Sequence, residues 1–208
     1  MDLTKKDKNI KFLHDIGKIS AHINKIKKEG NDNVRFNRHI KELVTGKYIQ
    51  TDKIMMRKLK DRYKEKLDKR RIKPLLNNYE VNKIKMVYQI LKKRVKPEFV
   101  LDINDTSPAN FRLRRGKIYF VDIEAIKGRW KGLGIAKGFI QWITSEKEQN
   151  AFKKGYESIS SMNFFTEDYK DFIYINFLVQ ALSYKAAIGR DYGKDLILLK
   201  KIIKKYKK

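Results

Sequence analysis

The sequence predicts a mainly α-helical chain with one small β-hairpin, organised as a single domain over residues 1–208. Three observations carry that expectation. Apolar side chains recur at three- and four-residue spacing through most of the chain, the period of amphipathic helices. One stretch, residues 100–124 (VLDINDTSPANFRLRRGKIYFVDIE), breaks that period with a short apolar run, a Pro-containing loop and two short β-rich runs joined at Arg115-Gly116. The chain has 208 residues and no cysteine, enough for a packed core and none for disulfides or thiolate metal sites.

Taken in order, residues 10–28 place Phe12, Ile16, Ile19, Ile23 and Ile26 on one helical face, and Gly30-Asn-Asp-Asn then reads as a stop and turn. His14 and His22 are eight residues apart, two turns, too far to share a metal. A short helix over residues 38–44 ending at Gly46 is the reading of a weak signal. Residues 53–73 hold eleven basic and three acidic residues, with Met55, Leu59, Tyr63 and Leu67 in four-residue steps. That pattern predicts a basic helix with a narrow apolar stripe. It is either a solvated outer helix or a surface for phosphates, onto which Arg57, Arg62, Arg70 and Arg71 can fork. Pro74 ends it. Val81, Ile84, Tyr88, Leu91 and Val95 predict a further helix that stops at Lys96-Pro97.

Past residue 124, Gly128, Gly132 and Gly134 bracket Arg129, Trp130 and Lys131. A glycine-lined phosphate nest is one reading and a Trp that stacks on a base between two cations is a second; a buried Trp that anchors the loop is the third. Residues 135–145 and 147–157 read as helices interrupted at Thr144-Ser145. Tyr169, Phe172, Asn176, Val179 and Ser183 line another helix as core, and Leu196, Leu199, Ile203 and Tyr206 a last one before a lysine-rich tail. Thus residues 1–99 read as helical and basic, 100–124 as the functional segment, and 125–208 as a loop followed by helices.

The chemistry is expected in residues 100–124. Asp105 and Asn110 lie five apart in Asp-Thr-Ser-Pro-Ala-Asn, a loop stiffened by Pro108, and Asp122 ends the second strand of the hairpin. A loop carboxylate, an amide and a second carboxylate are the parts a phosphotransferase uses to orient a hydroxyl and to hold Mg2+ on phosphates. A loop Asp that merely caps a turn, with Asn110 and Asp122 closing the hairpin, is the competing structural reading.

Asp105-Thr-Ser-Pro-Ala-Asn110 followed by Val121-Asp122-Ile-Glu124 resembles the catalytic loop and metal-binding segment of the protein-kinase-like superfamily, in its aminoglycoside phosphotransferase and Rio-like branch. The resemblance implies Asp105 as the catalytic Asp, Asn110 and Asp122 as Mg2+ ligands, Glu124 as an auxiliary group, and ATP as donor. It departs from the pattern at Ile103, where a His is usual, and at Ile123-Glu124, where a Gly is usual. It also implies a kinase-like C-lobe whose N-lobe is absent or strongly reduced, since no glycine-rich loop with a nucleotide-binding Lys is seen before residue 100.

Charge adds a partner. Fifty Lys and Arg against 24 Asp and Glu give +26, which favours a polyanion, nucleic acid ahead of acidic lipid. Part of the lysine count also suits a hyperthermophile or an AT-rich genome. With neither a signal peptide nor a spanning apolar run, a cytoplasmic protein is expected. The combination resembles small archaeal RNA kinases that phosphorylate a ribose 2′-hydroxyl of tRNA, which makes RNA, and tRNA in particular, the expected partner. Competing expectations are a catalytically degenerate RNA- or ribosome-binding module and a small-molecule or protein kinase of the same fold.

Overall fold

The computed structural model describes residues 9–46, 74–160 and 166–206. The basic segment with Arg57, Arg62, Arg70 and Arg71 lies outside the described residues. The chain divides into two compact units, Met1–Asp32 with Val95–Tyr174, and Asn33–Arg94 with Ile175–Lys208.

The first unit opens with α1 (Ile10–Asn24), whose N-terminus is capped by Asn9, the side chain accepting the Phe12 N–H at 2.8 Å. The sequence period extends this helix to residue 28 with Phe12, Ile16, Ile19, Ile23 and Ile26 on one face; the structure keeps Phe12 and Ile16 buried and corrects the rest. Its buried face is Phe12, Leu13, Ile16, Gly17, Ser20, Ala21 and Asn24, while Ile26 lies beyond the helix and is 53% exposed. The reason is a backbone-to-backbone approach. A Cβ on Gly17 would lie 2.2 Å from the Phe152 carbonyl, and one on Gly155 1.8 Å from that of His14, so small residues define where α1 meets α5 (Glu146–Glu157). Polarity alone does not reveal such a contact.

Strand β1 (Phe99–Ile103) pairs antiparallel with β4 (Ile126–Trp130), Phe99 opposite Trp130 and Ile103 opposite Ile126. On its other edge β1 takes the segment after α1, with the Leu101 N–H donating to the Ile26 carbonyl at 2.9 Å. The expected hairpin is present as β2 (Phe111–Arg114) and β3 (Lys117–Phe120), closed by Arg115 and Gly116 at φ 49° and 72°. Two consecutive left-handed residues give the twist a two-residue hairpin needs. Phe111 stands edge-on to Phe12 of α1, with ring centroids 6.1 Å apart, and seats the hairpin.

After β4 come α4 (Leu133–Gln141) and α5. The break expected at Thr144-Ser145 is a capping box: Ser145 accepts the Glu148 N–H, and the Glu148 carboxylate accepts the Ser145 N–H. Helix α6 (Glu167–Ala187) buries Tyr169, Phe172, Asn176, Val179 and Ser183 as expected of core; its residues to Tyr174 belong to the first unit and the rest to the second.

The second unit also contains α2 (Asn33–Thr45), α3 (Asn78–Val95) and α7 (Gly193–Lys205). Helix α2 starts five residues earlier than its sequence signal, because only Phe36, Ile40 and Leu43 mark its buried face and the turns between them are polar. Phe36 stacks on Tyr88 of α3 at 3.9 Å, and the Tyr88 hydroxyl donates to Asn33 at 2.9 Å. Among the described residues no helix is long and apolar enough to cross a membrane.

Candidate active site

The two small sheets of the first unit bring the sequence-predicted residues together. The loop that leaves β1 is held at its start by the Asn104 N–H, which donates to the Ala125 carbonyl at 2.7 Å, so the β1–β4 pairing sets residues 104 and 125 side by side. At its end, the Asn110 carbonyl accepts the Val121 N–H at 3.0 Å, which extends the hairpin by one bond and places Asp122 beside Asn110. Within the loop, Asp105 Oδ1 accepts the Ser107 N–H at 3.0 Å, an Asx turn, and a 3-10 turn over Pro108–Asn110 follows. The Asn110 side-chain amide donates to the Asp105 carbonyl at 2.9 Å. Asp105, Asn110 and Val121, the residue before Asp122, are therefore tied together by these bonds, although eleven residues and a hairpin intervene between Asn110 and Asp122 in sequence.

Asp105 is half-buried, and its Oδ2 lies 2.9 Å from Lys137 Nζ on α4. Burial pushes its carboxyl up, but the Lys137 ammonium, through hydrogen bond and charge together with the Ser107 N–H, outweighs that and holds it below the ordinary carboxylate value. It is ionised at neutral pH, as a group that accepts a proton must be. Asp122 is half-buried at the start of a 3-10 turn, Ile123–Ala125, and Glu124 is exposed. Among the described residues no side chain pairs with either carboxylate.

This donor set fits Mg2+. With Asn110 Nδ2 committed to the Asp105 carbonyl, the amide oxygen is left as a hard donor, the Asp122 carboxylate is a second one on the strand segment that the Asn110 carbonyl holds, and one or two protein oxygens completed by phosphates is the usual way Mg2+ is held. Among the described residues there is no group of three or more His, Asp or Glu able to hold a metal.

Two residues that the sequence reading passed over support the loop. Asp102 is 1% exposed; its Oδ2 accepts the Gly134 N–H at 2.8 Å in the first turn of α4, and its Oδ1 accepts Asn24 Nδ2 at 3.0 Å. Asn24 in turn accepts the Tyr156 hydroxyl at 2.9 Å, which joins α1, β1, α4 and α5. Burial raises the Asp102 carboxyl above its ordinary value, against the pull of Asn24, the Gly134 N–H and Arg129. Its sequence signal is a carboxylate inside an apolar strand. Lys137 had none, being one lysine among many.

Arg129, Trp130 and Lys131, expected as an RNA-contacting group, are 6%, 5% and 9% exposed. Arg129 bonds Asn104 and lies 3.9 Å from Asp32, and Lys131 pairs with Glu98 at 3.0 Å. Trp130 packs edge-on to Phe99 and against Phe172, with centroids 5.7 and 6.3 Å away. The buried, anchoring tryptophan is the arrangement found. Residues 126–130 pair as strand β4, and Arg129 braces the loop that follows β1 through Asn104.

No protein-family model and no curated protein sequence matches the chain. Solved structures do. The choline kinase LicA from Streptococcus pneumoniae superposes with a TM-score of 0.59 at 19% identity, over 99% of this chain and 67% of that one. An ethanolamine kinase from Plasmodium vivax gives 0.57 at 19% identity over 97% and 61%, and an AMP-bound spectinomycin phosphotransferase 0.51 at 14% over 98% and 65%. The chain thus spans about two thirds of the length of these proteins. At such identities the likeness is one of fold, and it covers nearly every residue: the chain has a mainly helical, kinase-like fold.

Proposed function

We propose that the chain is an ATP-dependent phosphotransferase, with Asp105 as the acceptor-orienting base and Asn110 and Asp122 as ligands of Mg2+. The observation that carries this reading is the ionised Asp105 carboxylate held one short turn from an uncommitted amide oxygen and an unpaired carboxylate, in a kinase-like fold. Bound Mg2+ would draw charge from the donor phosphates and fix them in line with the acceptor. Asp105 orients the acceptor hydroxyl and takes its proton. Asn110 couples the two halves of the site, because its amide bonds the Asp105 carbonyl while its own carbonyl holds Val121, next to Asp122. Glu124, exposed two residues on, is the auxiliary acid.

The acceptor we propose is RNA, a ribose 2′-hydroxyl of folded tRNA, and its support is the charge of +26. A small alcohol is the second reading, favoured by solved neighbours that are named for choline, ethanolamine and spectinomycin. Transfer of label from γ-labelled ATP to tRNA, choline, ethanolamine, an aminoglycoside and casein, offered separately, decides between them. Asp122→Ala should weaken Mg-ATP binding, and Asp105→Ala should leave binding and remove turnover. Wild-type transfer by both variants would discard the assignment, and RNA binding with no transfer to any acceptor would make the chain a binding module.

A further inference from the structure

We propose that Lys137 is a catalytic residue of this site, supplying from α4 the cation that meets the transferred phosphoryl group beside Asp105. The inference rests on the phosphotransferase reading above.

A site that gathers two carboxylates and the phosphates of ATP needs positive charge to meet the negative charge on the transferring phosphoryl oxygens, and positioned Lys or Arg commonly provides it. The loop itself offers none: Asp105, Thr106, Ser107, Pro108, Ala109 and Asn110 are all uncharged or acidic. Arg112 follows the loop, but its guanidinium donates to the carbonyls of Ala109 and Phe111, at 2.7 and 3.0 Å, and braces backbone. Among the described residues, Lys137 is the cation placed on the Asp105 carboxylate. An acceptor oxygen within hydrogen-bond reach of Asp105 Oδ2, roughly 3 Å, stands within about 6 Å of the Lys137 ammonium.

The helix that carries Lys137 is seated on β1 and its loop at three points. Asp102 accepts the Gly134 N–H at 2.8 Å, the buried Thr106 hydroxyl donates to the Gly134 carbonyl at 3.3 Å, and a Cβ on Gly138 would come within 2.8 Å of Thr106 Oγ1. Gly134 lies about one turn before Lys137 and Gly138 directly after it. The contact is therefore built into the packing of α4 on β1 and its loop, and the Lys137 side chain remains about a quarter exposed. In the step itself, the acceptor oxygen bonds the γ-phosphorus as the bond from that phosphorus to the β,γ-bridging oxygen breaks. ADP leaves with the electron pair, and the hydroxyl proton passes to Asp105 and then to water. Lys137 keeps its proton throughout and moves from the carboxylate to the phosphoryl oxygens.

The test is an ATP acyl-phosphate probe, whose carbonyl is attacked by a lysine amine near the γ-phosphate to give an amide and free ATP. Mapped by mass spectrometry on the full chain, label should fall on Lys137 and be competed away by ATP. Lys137→Met should lose the label and lower kcat about 100-fold with the acceptor KM little changed, and Lys137→Arg should recover all but about tenfold of that loss. Competed label on another lysine with Lys137 bare overturns the proposal and leaves the phosphotransferase reading standing. A loss that Lys137→Arg does not restore overturns it too, by making the pair a structural strut. Label that ATP competes nowhere removes the nucleotide site, and both readings with it.

Discussion

Replacing Gly134 by Ala should disconnect the first turn of α4 from the strand that feeds the loop. The added Cβ would sit 1.6 Å from the Ile103 carbonyl oxygen and 2.7 Å from its carbon, both backbone atoms that no side-chain rotation can move. Real Cβ contacts essentially never fall under 3.0 Å, so α4 and β1 must part by most of the difference between those distances. Overpacking of this kind costs about 1–3 kcal/mol, and the retreat also breaks the 2.8 Å bond from the Gly134 N–H to the buried Asp102 carboxylate, worth about 1.5–3 kcal/mol. The expected loss is about 3–5 kcal/mol, a large part of the 5–15 kcal/mol typical of a domain. Urea unfolding followed by far-ultraviolet circular dichroism measures it. Gly193→Ala is the matched control. At the start of α7 its nearest new neighbour would be Asp191 Oδ1 at 3.4 Å, an ordinary contact, so it should be neutral or stabilising by up to about 1 kcal/mol. A Gly134→Ala protein within about 1 kcal/mol of the parent would refute the reasoning, because α4 would then not be seated on β1 as described.

Two further outcomes are expected. Glu80 closes a capping box with Asn77 at the start of α3 and pairs with Lys200 at 2.7 Å, and the Lys200 hydrogen bond, against burial, holds its carboxyl below the ordinary value. A depressed carboxyl contributes stability above its unfolded value, near 4.5, and loses it as pH falls through the folded one. Glu80→Gln keeps the acceptor for the Asn77 N–H and drops the ion pair, so it should cost under about 1 kcal/mol at pH 7, and the gap should close in acid unfolding series. A gap independent of pH would assign the loss to the cap instead. If RNA is the partner, the logarithm of affinity should fall linearly with that of salt, by about 0.7–0.9 per neutralised phosphate, and filter binding across a salt series that gave a flat line would make the charge compositional.

Local chemistry alone determined a good deal about this chain. The hairpin at Arg115-Gly116, the break at Ser145, and the core face of α6 were legible because turn residues, caps and helical periods act within a few residues of themselves. The spacing from Asp105 to Asn110 and on to Asp122 was legible for the same reason: one loop and one hairpin carry all three. Long-range contacts decided the rest. The face of α1 follows from where Gly17 and Gly155 let two backbones touch, and strand β4 exists because β1, more than twenty residues earlier, offers it an edge. Trp130 and its basic neighbours read equally well as a surface or an anchor until Asp32, Asn104, Glu98 and Phe172 were seen to surround them. Asp102 and Lys137 gain their meaning only when α4 folds back on the loop, since a buried carboxylate and one lysine among many have no local pattern. Sequence period reports what a residue does for its own element; which elements meet, and so which charge stands beside Asp105, is settled by packing.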